Sequence, residues 1–133
     1  MILLLEHLMN EEVVVRDLKP DNFIVDEKGF LNLVSLGSAK NISANHKTNT
    51  VIGTPHYMAP EIVLGKEYNE LVDLWSVGVM MYEFMVGELP FGGNTENPFE
   101  IYESIIQGDV EFPRSFKDRR AKKLIETLLN MNP

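Results

Sequence analysis

From about Val72 to Val86 the chain is almost continuously apolar, with Asp73 and Glu83 as its only charges. A segment that is apolar all round is a buried helix, and this one is shorter than the roughly 20 residues that span a bilayer. Gly87, free to adopt positive φ, closes it. Asn97-Pro98-Phe99-Glu100 opens a second helix, with a cap residue, proline in the first turn and Glu three positions after the cap; Gly108 stops it. Ser115 and Asp118 form a similar start for a last helix, in which Ala121, Leu124, Ile125, Leu128 and Leu129 follow the three-four spacing of one buried face. Trp75, Met80, Met81 and Met85 read as core packing, since Met fills irregular apolar gaps. Towards the N-terminus the period shortens. Val13–Val15, Phe23–Val25 and Leu31–Val34 are short strand candidates, with Asp26-Glu27-Lys28-Gly29 as a turn between the last two. They predict a small hairpin bracketing a loop around Asp17. From Gly37 to Ala59 the chain is polar, and a long loop with little core of its own is expected.

Composition narrows the class. The 133 residues suit one domain, and 44% hydrophobic with 24% charged residues is ordinary for a globular fold. Net charge is −8 and the pI is 4.8. This balance argues against nonspecific nucleic-acid binding and favours basic partners. Without cysteine there is no disulfide framework or thiolate metal site, which fits a reducing cytoplasm. Met1 to Leu5 lacks the basic start and cleavage site of a signal peptide, so neither export nor membrane insertion is expected. His7, His46 and His56 share no metal-ligand spacing.

Candidate chemistry lies in Arg16-Asp17-Leu18-Lys19-Pro20-Asp21-Asn22. Asp17 is suited to orienting an attacking hydroxyl. Lys19, two residues on in an extended loop, lies on the same side and is suited to steadying a phosphate as a compact cation. Asn22 offers an amide oxygen to a hard cation. Alone these three are a weak signal, because such residues usually sit in solvated turns. They are followed, however, by Gly53-Thr54-Pro55-His56-Tyr57-Met58-Ala59-Pro60-Glu61 and Asp73-Leu74-Trp75-Ser76-Val77-Gly78. Those linked blocks resemble the C-terminal lobe of a eukaryotic Ser/Thr protein kinase. Gly37-Ser38-Ala39-Lys40 and Tyr82-Glu83-Phe84-Met85 are similar to the AGC group. Gly87-Glu88-Leu89-Pro90-Phe91-Gly92, with Pro98-Phe99-Glu100-Ile101-Tyr102-Glu103, resembles its cGMP-dependent branch best.

The resemblance implies a mainly α lobe with a small β-hairpin region carrying the catalytic loop, one part of an α+β kinase fold, over residues 1–133. It implies ATP and magnesium as cofactors, with Asp17, Lys19 and Asn22 catalytic and Lys19 and Asn22 also meeting the nucleotide and metal. Thr50 resembles a phosphorylated activation-loop threonine whose phosphate pairs with Arg16. Thr54 resembles the threonine that bonds the catalytic Asp and Lys, Tyr57 a substrate-pocket tyrosine, and Glu83 the carboxylate that reads a substrate arginine. Glu61 resembles a buried structural glutamate, and Asp73 a helix aspartate that accepts catalytic-loop N–H groups.

Two departures shape the functional expectation. Ser35 stands where the family has the magnesium-binding aspartate of D-F-G, and a neutral hydroxyl offsets none of the triphosphate charge. Val15 is a milder change at a structural position. No G-x-G-x-x-G or V-A-I-K occurs within the 133 residues, so the N-terminal lobe is expected to be absent. The sequence therefore supports two readings. One is a Ser/Thr kinase lobe, built for γ-phosphate transfer to Ser or Thr of basic peptides and inactive by itself, with a missing N-lobe or regulatory segment as a partner. The other is a pseudokinase or non-catalytic interaction module.

Overall fold

The computed structural model describes residues 1–42 and 47–132. Helix α1 (Ile2–Asn10) leads into β1 (Val13–Val14) and a single 3₁₀ turn at Pro20–Asn22; β2 (Phe23–Val25), β3 (Leu31–Leu33) and β4 (Lys40–Asn41) follow. A second 3₁₀ turn, Pro55–Tyr57, precedes α2 (Pro60–Val63), α3 (Leu71–Val86), α4 (Pro98–Gln107) and α5 (Arg119–Leu128). The fold is mainly helical, as expected from the sequence, with two small antiparallel sheets where one hairpin was expected. Among the described residues no helix is long and apolar enough to cross a membrane.

Helix α3 is the axis of the molecule because it is apolar on every side. One face contributes Val72, Trp75, Val79 and Tyr82 to the main core, where they meet Phe91, Ile101, Ile105, Ile125 and Leu129. The opposite face gives Val77 and Met80 to a smaller cluster with Leu5, Val15 and Leu18 beneath the Asp17 loop. Trp75 stacks on Phe91 with ring centroids 5.5 Å apart. Gly78 lets α5 approach closely, since a Cβ there would lie 2.8 Å from Leu128 Cβ. Met85 is an exception to the expected core role. It joins neither cluster, although Val86 beside it packs on the main core, and is exposed.

The helix ends follow their local signals. Gly87 caps α3 at φ +90°, and its N–H donates to Glu83 O. Asn97 Oδ1 accepts from Phe99 N at 3.1 Å while its amide reaches Glu100, which fixes the start of α4. For α5 the cap is Asp118, which accepts from Arg120 N and Ala121 N; Ser115 takes no part. Leu124 departs from the expected buried face. The buried stripe runs by fours through Ala121, Ile125 and Leu129, and Leu124 falls on its margin, 49% exposed.

The hairpin is β2–β3, with Phe23 opposite Leu33 and Val25 opposite Leu31. Asp26 Oδ1 closes its turn by accepting from Lys28 N and Phe30 N. It follows the Asp17 loop and does not bracket it. Val13 and Val14 pair instead with Asn41 and Lys40, and the backbone just after β1 is held by α3. The polar stretch from Gly37 to Ala59 also has more anchorage than its composition predicts. Ile42, Met58 and Ala59 are buried, and Thr48 exchanges backbone bonds with Tyr68. His46 lies outside the described residues.

Candidate active site

The Asp17 loop is shaped from below by a buried carboxylate. Asp73, in the first turn of α3, accepts from Val15 N at 2.7 Å and Arg16 N at 2.9 Å. Arg16 is thereby held at φ +69°, a left-handed conformation uncommon for a residue with a side chain. Burial raises the Asp73 carboxyl to about 6, even though the two N–H bonds and the Arg16 charge pull it down. The Arg16 side chain turns away and donates from Nε to Ser38 O at 2.6 Å.

With its backbone fixed, the loop presents Asp17 to a glycine-led segment 37 residues later. Asp17 Oδ1 accepts from Thr54 N at 2.9 Å and from Thr54 Oγ1 at 2.7 Å. The same hydroxyl accepts from Lys19 Nζ at 2.9 Å. Lys19 is fully extended, with φ −155° and ψ 162°, which brings its amine back over Asp17 Oδ2 at 4.0 Å. Asn22 donates to Asp17 O at 2.8 Å and lies 3.4 Å from Asp17 Oδ2. One carboxylate oxygen is thus fully engaged. The other keeps acceptor capacity beside a cation, the requirement for taking a hydrogen bond from a hydroxyl. Gly53 makes the approach possible: it has φ +126°, and a Cβ there would lie 2.6 Å from Arg16 O.

A second polar centre lies beyond the Pro55–Tyr57 turn. Tyr57 donates its hydroxyl to Glu83 Oε2 at 2.8 Å, while Ser76 of α3 holds Tyr57 O at 2.9 Å. Burial first, then the bond to Glu83 and the charges of Glu83 and Asp21, push the Tyr57 phenol well above its ordinary range, so it stays a donor. Glu83 also borders a cleft of about 590 Å³ with Glu88, Leu89 and Asn94. His56 ties this turn to the segment after α3 through Nε2, 3.2 Å from Gly92 O.

The remaining predicted residues stand apart. Thr50 is exposed; its carbonyl accepts from Tyr68 Oη at 2.7 Å, and its hydroxyl lies 3.4 Å from that of Thr48. No hydrogen bond joins it to Arg16 among the described residues. Glu61 is half-buried, not buried as its resemblance implied, because the short α2 turns Pro60 and Ile62 inward instead. Among the described residues it forms no ion pair. It lines a cavity of about 260 Å³ with Trp75, whose buried indole Nε1 has no hydrogen-bond partner among the described residues. Ser35 is half-buried beyond the hairpin.

Residues 1–133 match the protein kinase domain family along their whole length. The chain belongs to the protein kinase family. It is 44% identical to a cGMP-dependent protein kinase of Plasmodium berghei over 128 residues, which is 96% of this chain and 15% of that protein. A cGMP-dependent protein kinase of Toxoplasma gondii is 42% identical over 128 residues, covering 96% of this chain and 13% of the relative. The cAMP-dependent protein kinase catalytic subunit of Schizosaccharomyces pombe is 43% identical over 115 residues, 86% of this chain and 22% of that protein. The chain therefore spans less than a quarter of the length of these relatives.

Kinases use ATP and magnesium, and the donor set here fits the metal poorly. No group of three or more His, Asp or Glu side chains placed to hold a metal occurs among the described residues. Asn22 has its amide nitrogen committed to Asp17, which leaves one neutral oxygen, and Ser35 adds only a neutral hydroxyl. A hard dication bridging phosphates calls for carboxylate charge.

Three contributors were not singled out from the sequence. Asp21 adds charge beside Tyr57, Ser76 anchors the Tyr57 backbone, and Gly53 admits the Arg16 carbonyl. Only Gly53 had a readable signal, a glycine followed by Thr54-Pro55 within a long loop.

Proposed function

We propose that this chain is the peptide-binding lobe of a protein serine/threonine kinase, related to the cGMP-dependent kinases, and that by itself it transfers no phosphate. The family reaction moves the γ-phosphate of ATP to Ser or Thr in basic peptides. The observation that carries the reading is the closed Asp17–Thr54–Lys19 network, which leaves Asp17 Oδ2 able to accept a substrate hydroxyl. Glu83 supports the basic-peptide preference. Tyr57 occupies one of its oxygens, and Glu83 borders an open cleft in which a guanidinium would meet its carboxylate. Thr50, exposed on the loop before Gly53, is the proposed phosphorylation site, with Arg16 as its counter-charge after rearrangement. The second reading, a non-catalytic interaction module, is favoured by Ser35 in place of a carboxylate and by the single neutral amide oxygen that Asn22 has left. It uses the same groove without the nucleotide.

Binding of an arginine-bearing serine peptide tests the reading. A charged hydrogen-bonded pair contributes roughly 1.5–3 kcal/mol, so Glu83→Gln weakens binding by about tenfold or more, and added salt weakens the parent complex. Equal binding by Glu83→Gln and the parent would show that Glu83 only braces Tyr57.

A further inference from the structure

Net charge conceals a strong asymmetry. Residues 114–123 hold six of the twelve lysines and arginines and a single carboxylate, so this stretch carries +5 while the rest of the chain carries −13. Arg114, Lys117, Arg119, Arg120, Lys122 and Lys123 are all exposed. Two are already engaged. Lys117 Nζ donates to Arg114 O at 2.6 Å, and Lys122 pairs with Glu126 at 3.7 Å while lying 5.0 Å above the Phe112 ring. Arg114, Arg119, Arg120 and Lys123 have no carboxylate within 4.0 Å among the described residues. Arg119 and Arg120 also begin α5, where a cation opposes the helix dipole. The fold thus gathers unpaired positive charge at one place on an acidic body, in part against the stability of the helix that carries it.

We infer that residues 114–123 form a docking surface for an acidic peptide segment of a partner protein, separate from the Glu83 groove, which suits basic peptides. Charge complementarity selects the partner's sign, and the surroundings select its size. At physiological salt the screening length is about 8 Å, so a short acidic segment feels the patch alone, whereas a membrane or duplex also meets the acidic remainder. No exposed apolar side chain within 114–123 is available to anchor in lipid: Ala121 is buried and Phe116 half-buried. Phe112 and Phe116 are half-buried and pack on each other at 5.1 Å, so neither is a fully exposed ring for base stacking.

Fluorescence anisotropy with a labelled Asp/Glu-rich peptide tests the inference. Removing three exposed charges together in Arg119→Gln/Arg120→Gln/Lys123→Gln weakens binding at least about threefold, since each exposed ion pair adds a small increment. The triple Lys28→Gln/Lys47→Gln/Lys66→Gln, with equal charge loss elsewhere, leaves binding within about twofold because screening isolates distant charges. Arg119→Lys/Arg120→Lys keeps the charge and retains binding, and circular-dichroism melts establish that each variant is folded. The inference is overturned if the parent does not bind, or if the distant triple weakens binding as much as the local one. It is also overturned if single-stranded RNA or phosphatidylserine vesicles bind more tightly than the peptide through the same residues.

Discussion

Replacing Gly53 by alanine perturbs the contact on which the whole site depends. The backbone there has φ +126°, and the new Cβ would lie 2.6 Å from Arg16 O and 3.3 Å from Met58 Cγ. Ordinary contact begins at 3.4 Å, so the two chains must part by about 0.8 Å. The Met58 side chain can adjust. The Arg16 carbonyl belongs to a backbone pinned by two bonds to Asp73 and cannot rotate away. Forcing a side chain into this φ costs about 1–3 kcal/mol and the overlap a similar amount, so the total is roughly 2–6 kcal/mol. Any relief obtained by moving the loop stretches the bonds from Thr54 to Asp17. Gly65→Ala is the control: its φ of +61° is also left-handed, but nothing lies within 4 Å of its Cβ position, so it reports backbone strain alone. Urea titrations followed by Trp75 fluorescence should place Gly53→Ala about 2 kcal/mol below Gly65→Ala in unfolding free energy, the overlap part of the cost. Equal destabilisation by the two substitutions would refute the claim that the loops touch at Gly53.

Two further outcomes follow from burial. The Asp73 carboxyl titrates near 6 in the folded chain, above the 3.8 of an unperturbed aspartate, so its stabilising contribution is complete below about 3.8 and is lost as pH rises through about 6. Carbon-13 NMR of the Asp73 side chain should give a midpoint near 6, and one at or below that of a free aspartate refutes the dominance of burial. Ile2, Leu3, Ile24, Val25 and Phe30 are all more than half exposed, and exposed apolar surface promotes association. Size-exclusion chromatography of the purified chain should show association that Leu3→Glu/Val25→Glu reduces; a monomer for the parent argues against this.

The legible parts of the fold were those encoded by local signals. Gly87, Asn97, Gly108 and Asp118 sit at the ends of α3, α4 and α5 because each satisfies backbone groups within a turn of itself. The β2–β3 hairpin was readable for the same reason, through the Asp26 turn. Helix α1 carried no such mark: it has no side-chain cap and buries only Leu5. The β1–β4 pairing joins residues far apart in sequence, and no local pattern specifies it. In the site, motif resemblance named Asp17, Lys19 and the Thr54 hydroxyl that bonds them both, but the close approach of Gly53 to the Arg16 carbonyl, which lets the two segments meet, is a tertiary fact. Asp21 and Ser76 were missed because their roles depend on where Tyr57 comes to rest.

The central claim is that the peptide-facing half of the site is complete while its metal-facing half is neutral. Calorimetric titration of the chain with magnesium and ATP tests it most directly. Asn22 and Ser35 offer two neutral oxygens where a carboxylate is required, so the account predicts no saturable heat at physiological ATP concentrations. Saturable, magnesium-dependent binding in the low micromolar range would contradict it.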